Sequence, residues 1–140
     1  MSTKSSDLWP TNLETHGPKA PAAILREQGG LLGRKTNNLV VGVVVPEPGE
    51  PRRPAKGLRS LPFCYSFFLE APALDRYRFK LFTISHRIIL YPVFVSAEDG
   101  GKPRVARSET EFLQVLKDLF SSAYTKQAIE SLIAQSQVAV

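Results

Sequence analysis

The residue types that most often carry out catalysis are scarce in this chain. Its 140 residues include one cysteine, Cys64, and two histidines, His16 and His86. A thiol needs a neighbouring base to act as a nucleophile, and Cys64 and His86 could in principle meet across adjacent strands. Cys64, however, lies in an apolar aromatic run, where a cysteine is usually a small inert hydrophobe. One cysteine and two distant histidines also cannot assemble a zinc site of ordinary composition.

Other candidate motifs have structural explanations. The stretch from Gly29 to Thr36 is similar in composition to a phosphate-binding loop, but its glycine spacing is wrong and it precedes a strand instead of following one. The acidic pairs fall in a loop, a turn and a helix cap; they are Glu47/Glu50, Glu98/Asp99 and Glu109/Glu111. The sequence therefore predicts no catalytic residues, no cofactor and no metal ligands.

A basic and aromatic strand is the most suggestive binding feature. The chain carries a net charge of +5, and residues 71–107 hold seven basic and three acidic side chains. Within 76–87, basic and aromatic residues alternate, as they do where proteins stack bases and neutralise phosphates. Successive strand residues point to opposite faces, whereas a stacking platform needs both kinds of side chain on one face. Binding of nucleic acid through 76–87 is therefore the alternative and not the main hypothesis.

The first part of the chain is predicted to contain a tail, a helix and a strand. We expect a flexible tail at 1–18 and a single domain at 19–140. Apolar residues recur at helical spacing after Pro21, although Gly29-Gly30 must either break this helix or allow close approach of a neighbour. The β-branched run 39–45 predicts a strand, and its apolar character on both faces indicates a central or covered one. A loop rich in proline and arginine follows at 46–60.

The middle of the chain predicts a three-stranded meander. Residues 61–70 and 77–85 alternate as half-buried strands do, and 88–95 follows after a tight connection near His86. Short connections make antiparallel neighbours. Pro92 favours a sheet edge for the last strand, or an outward orientation of that position.

Two helices are predicted at the end of the chain. Ser108 and Glu111 form a capping box, in which Glu111 is expected to reach back to the amide of Ser108. Ser122 can cap a second helix. The predicted fold is therefore α+β: a four-stranded, mostly antiparallel sheet, made of the meander and the N-terminal strand, with one N-terminal and two C-terminal helices on one face.

This fold leaves more apolar strand residues than one buried face requires. The surplus positions are Val40, Val44, Phe68, Phe82, Ile84, Leu90 and Phe94. If exposed, they form a patch that needs a partner. The sequence favours a non-catalytic interaction module, such as an adaptor, an immunity-type inhibitor or a regulatory subunit, which binds a protein partner or a second copy of itself. The candidate contact residues are Phe68, Arg76, Arg78, Lys80, Phe82, His86 and Phe94.

The chain is expected to be cytoplasmic and without a membrane partner. Its first residues lack the apolar segment of a secretory signal, and its longest apolar run is far below the ~18 residues that a membrane span requires.

Overall fold

A computed structural model of the chain describes residues 6–13, 17–47 and 61–139. Most of the predicted loop at 46–60 therefore lies outside the described residues. Within the predicted tail, residues 6–13 and 17–18 are exposed, and the side chain of Trp9 is 74% accessible to solvent. None of the described helices is long and apolar enough to cross a membrane.

The elements follow one another in the order helix, five strands, two helices. They are α1 (Pro21–Lys35), β1 (Val41–Pro46), β2 (Phe63–Ala71), a short 3-10 turn (Pro72–Leu74), β3 (Tyr77–His86), β4 (Val93–Ala97), β5 (Arg104–Ala106), α2 (Glu109–Phe120) and α3 (Ala123–Val138). The strands form one antiparallel sheet in the order β1-β2-β3-β4-β5, so each strand pairs with its neighbour in sequence. The predicted α+β class is confirmed, but the sheet has five strands and not four.

The helix caps explain where the helices begin and end. Ser108 Oγ accepts a hydrogen bond from the amide of Glu111 at 3.2 Å, and Ser122 Oγ accepts one from Thr125 at 3.2 Å. The carboxylate of Glu111 reaches the amide of Arg107 at 3.3 Å, one residue before the predicted donor. Helix α1 starts with Pro21 in its first turn, where a missing amide costs nothing, and it ends before Asn37 and Asn38, which both adopt left-handed backbone.

The glycine pair does not break helix α1; it allows the helix to approach a neighbouring strand closely. A Cβ atom at Gly29 would overlap the backbone of Gly42 in β1, whereas a Cβ atom at Gly30 would meet open space. Helix α1 therefore lies almost in backbone contact with β1. This position covers an edge strand that would otherwise offer unpaired backbone groups to other chains. β1 is thus an edge strand and not a central one. Helix α1 contacts Gly42 and Val41, whereas Val43 and Val45 point to the face opposite the core.

A β-bulge in β3 changes which side chains face the core. Phe67 pairs with Phe82, but the next residue, Phe68, pairs with Lys80, so β3 holds one extra residue at Leu81. An extra residue shifts the period of two by one position. Tyr77 and Phe79 therefore lie on the same face as Phe82, the core face. Leu81, at the bulge, is buried in the core as well. The prediction that Phe82 lies opposite the core is wrong for this reason, and its side chain is 1% exposed.

The last predicted strand is displaced toward the C-terminus. Residues 87–92 form the connection between β3 and β4, and Ile88 and Ile89 in it are 81% and 77% exposed. The strand begins only at Val93, after Pro92, whose ring provides no backbone donor. β5 was not predicted because three residues are too short for an alternating pattern to be recognised.

The core lies between the three helices and one face of the sheet. Its largest buried members are Phe67 and Phe82 from the sheet, Leu25 from α1 and Phe112 from α2. Phe67 and Phe82 stack with ring centroids 5.2 Å apart, and Phe120 at the end of α2 leans against both. All three helices contribute to this cluster, so they cover the same face, as the sequence predicts.

Candidate functional site

The face of the sheet opposite the helices is the candidate functional site, and we call it the open face. Strand register places four groups of side chains on it. They are Val41, Val43 and Val45 from β1; Cys64, Ser66, Phe68 and Glu70 from β2; Arg78, Lys80, Thr83 and Ser85 from β3; and Phe94, Ser96 and Val105 from β4 and β5. At its outer edge this face meets helix α1, where Gly33 lies against the side chain of Val41. The core cluster that the helices cover includes Val44 of β1 but neither Val43, Val45, Phe68 nor Phe94.

Apolar side chains lie at the two sides of the open face. The three valines of β1 form a column, and Phe68 pairs directly with Val43 beside them. On the other side, Phe94 pairs with Val105, which is 40% exposed. The valines, Phe68 and Phe94 are half-buried. Their outer surfaces remain in contact with water unless a partner covers them.

Short hydroxyl side chains occupy the centre of the open face. Ser66, Thr83 and Ser96 lie side by side on three consecutive strands. The oxygens of Ser66 and Thr83 are 3.3 Å apart, within hydrogen-bond distance. Ser66 is fully buried among its neighbours although no described helix covers it. The centre of the face is therefore flat, and the apolar surface is divided into two patches.

The charged side chains of the open face lie close to opposite charges. Arg78 Nε lies 3.6 Å from Glu70 Oε1, and Lys80 Nζ lies 3.7 Å from Glu98 Oε1. Both cations are at least a third exposed, so water screens these pairs and they add little stability. Their main effect is to cancel charge where the sequence indicated a basic surface.

The structure brings together only part of the predicted contact set. Four members lie on the open face: Phe68, Arg78, Lys80 and Phe94. Arg76 lies in the turn before β3, in left-handed backbone. Phe82 and His86 lie on the face that the helices cover and are buried, so neither is accessible to a partner in this fold. His86 stacks on Phe63 with centroids 5.4 Å apart, and its Nδ1 lies 2.7 Å from the carbonyl oxygen of Arg87.

The remaining surplus positions divide between core and surface. Val40 and Ile84 are fully buried, and Val44 packs partly against the core. Leu90 lies in the connection after β3 and is half-buried. The valine column on the opposite side of β1 was missed as a contact surface. The only available signal was that β1 is apolar on both faces.

The cysteine and histidine pair does not form. Cys64 pairs with Ser85 on the open face, whereas His86 pairs with Phe63 and points to the helix side. Burial, followed by the charge of Glu47, raises the pKa of the Cys64 thiol, which keeps it protonated. A protonated thiol without a base beside it is a poor nucleophile.

Concave regions lie on the helix side. A groove of about 600 Å³ runs between the start of β3 and α3, with Tyr77, Phe79, Tyr124 and Leu132 among its walls. Among the described residues, its lining includes no His, Cys, Asp, Glu, Lys or Arg. Among residues 6–13, 17–47 and 61–139, no three His, Cys, Asp or Glu side chains are grouped so as to hold a metal ion.

Comparison with known proteins adds no relative: no family model matches the chain, and neither a curated protein nor a solved structure matches it.

Proposed function

We propose that this chain is a small interaction module that binds a protein partner through the open face of its sheet. The observation that carries the proposal is the valine column of β1 with Phe68 beside it, on the face opposite the core cluster, which α1 meets at Val41. Covering apolar surface contributes about 25 cal/mol per Å². The apolar positions of this face therefore supply a driving force for association.

The polar features of the face fit the same role. Protein interfaces of moderate affinity combine apolar patches with hydroxyl and paired charged groups, which fix the register of the partner. The Thr83 and Ser96 hydroxyls and the two ion pairs supply such groups. Adaptors, immunity-type inhibitors and regulatory subunits all work through surfaces of this kind.

Nucleic-acid binding is the second candidate, supported by one cross-strand contact. Lys80 pairs directly with Phe68 on the open face, so a cation and an aromatic ring lie side by side there. The neighbouring carboxylates weaken this candidate, because Glu70 and Glu98 repel phosphate beside both available cations. Tyr77 and Phe79 are not available for stacking on this face, since they point toward the helices.

A capture experiment with matched variants tests the proposal. The bait proteins are the unchanged chain, Phe68→Asp on the open face, and Leu113→Asp on α2, where the leucine is 46% exposed. We expect a partner protein that the unchanged chain and Leu113→Asp both capture and Phe68→Asp does not. Circular dichroism of each bait checks that it is folded.

The outcome that contradicts the proposal is equal capture by all three folded baits. Fluorescence anisotropy with oligonucleotides addresses the second candidate, because binding through phosphates weakens steeply with salt. Salt-dependent binding that Arg78→Ala and Lys80→Ala together abolish would replace the protein partner with nucleic acid.

A further inference from the structure

We propose that a second copy of this chain covers the open face, sheet against sheet; this inference rests on the function proposed above and names the partner. The shape of the face is the first reason. Ser66, Thr83 and Ser96 form a row of short side chains across three strands. Two sheets pack about 10 Å apart, face to face. A flat surface of this kind fits another sheet better than a helix, which usually docks in a groove.

The charge of the open face is the second reason. The chain carries a net charge of +5, so two copies repel unless they meet at a surface of low net charge. On the open face, Arg78 and Lys80 lie beside Glu70 and Glu98, so two cations face two anions. A locally neutral surface can meet an identical one. A strongly acidic or basic partner gains nothing from it.

The size of the face is the third reason. Strands lie about 4.8 Å apart and rise about 3.4 Å per residue, so a residue takes about 16 Å² of the sheet plane and the five strands present roughly 500 Å². Two copies together then cover about 1,000 Å², which is close to the smallest area of a specific interface. The area therefore supports a dimer of modest, concentration-dependent stability.

The positions of the charges determine the direction of the two-fold axis. A two-fold axis parallel to β3 leaves the position of each residue along the strand direction unchanged. Lys80 of one protomer then faces the same lysine of its partner. A two-fold axis perpendicular to the strands, in the plane of the interface, reverses the strand direction and places each strand over its own copy. Lys80 then lies over the hydroxyl end of β3, near Thr83, and the valine column of β1 lies over the valine column of the partner. The axis therefore runs across the strands, because this arrangement joins apolar surface and separates like charges.

Light scattering coupled to size-exclusion chromatography tests the dimer over a range of concentrations. We expect the unchanged chain to shift from monomer to dimer mass as its concentration rises. Val43→Lys should raise the dissociation constant roughly tenfold or more, because it places an unpaired charge in the interface. Ser96→Arg should act in the same direction, and since Ser96 is exposed in the monomer, this variant keeps its fold. Leu113→Lys, on α2, should dimerise as the unchanged chain does.

A chain that stays monomeric at every concentration, or whose dimer forms equally well with Ser96→Arg, overturns the inference. The function proposed above is judged separately. If the chain is monomeric and Phe68→Asp still loses a captured partner, another protein covers the face, and only the identity of the partner is wrong.

Cross-linking tests the axis. In a Cys64→Ser background, Val43→Cys should join two chains rapidly with a short bismaleimide, because the β1 strands overlie each other. Leu113→Cys in the same background should not. An axis along β3 would separate the two β1 strands by about 20 Å, the width of the sheet, so a dimer without this cross-link overturns the proposed orientation.

Discussion

The two faces of the sheet are built from similar residue types but meet different surroundings. Phe67 and Phe68 are adjacent in β2, yet Phe67 is 2% exposed beneath the helices and Phe68 is half-buried on the open face. The covered face is filled with aromatic and branched side chains from four strands, whereas the open face divides its apolar groups with a row of hydroxyls. Apolar composition alone therefore does not distinguish a core from a contact surface; the bulge and the position of the helices do.

Truncation of the two adjacent phenylalanines gives the largest expected difference. Phe67→Ala removes a ring that packs against Phe82 and Phe120, and it should lower the free energy of unfolding by about 3–5 kcal/mol. Phe68→Ala leaves no closed cavity in the monomer and should cost about 1 kcal/mol. Chemical denaturation of both variants at low protein concentration measures the difference. Similar losses would mean that the open face is packed as tightly as the core.

The two adjacent glycines of α1 test the helix cover itself. Gly29→Ala pushes a methyl group into the backbone of Gly42 and should destabilise the chain by about 1–3 kcal/mol. Gly30→Ala meets open space and should stabilise it by about 0.5–1 kcal/mol through the higher helix propensity of alanine. Thermal unfolding followed by circular dichroism shows whether each variant is more or less stable than the unchanged chain. Stabilisation by both variants would show that α1 does not lie on β1.

An ion pair links β5 to the helix layer and gives a dependence on pH. Asp118 accepts hydrogen bonds from Arg104 and Gln114, at 2.9 Å each, and these lower the pKa of its carboxyl group. A lowered pKa contributes stability above the ordinary carboxyl range, and this contribution is lost as the pH falls through the folded value. Asp118→Asn should therefore melt slightly below the unchanged chain at neutral pH.

In acid, below the ordinary range of an aspartate, the two melting temperatures should converge. The pair is exposed, so the difference is expected to be small. A difference that persists in acid would show that Asp118 acts through packing and not through its charge.

The reactivity of Cys64 gives the smallest effect and reports on the open face directly. Burial and Glu47 raise the pKa of its thiol, so the folded chain should react slowly with a disulfide reagent at neutral pH and faster as the pH rises. If a second copy covers the face, the reaction should slow further at high protein concentration. A rate that is independent of concentration would leave Cys64 outside the covered area.

Local sequence signals predict most of the helices and strands of this fold, but they do not predict which face of the sheet every strand residue occupies. The caps at Ser108 and Ser122 and the proline at the start of α1 identify the helices, because hydrogen bonds within a few residues determine those ends. The bulge at Leu81 depends on pairing with β2, so nothing close in sequence reveals it. Because the prediction lacked this extra residue, it put Phe82 on the face opposite the core. In the structure Phe82 is buried in the core and is not part of the candidate site.

The candidate site could be predicted only in part, because some of its features depend on pairing between strands. Phe68, Arg78, Lys80 and Phe94 lie where period-two alternation puts them, because the bulge does not change their side of the sheet. The neutralisation of Arg78 and Lys80 depends on Glu70 and Glu98, which lie on other strands or beyond them. Charge counted along the chain therefore overstates how basic the surface is.

The position of Trp9 affects how this domain can be observed. It is the single tryptophan of the chain, and its indole lies outside the helices and strands, largely in water. Its emission spectrum should already resemble that of a free indole in the native protein and change little on denaturation. Loss of the tertiary structure is better monitored by the near-ultraviolet dichroism of the packed phenylalanine and tyrosine rings, while Trp9 serves as a built-in reporter for ligands that contact the N-terminal segment.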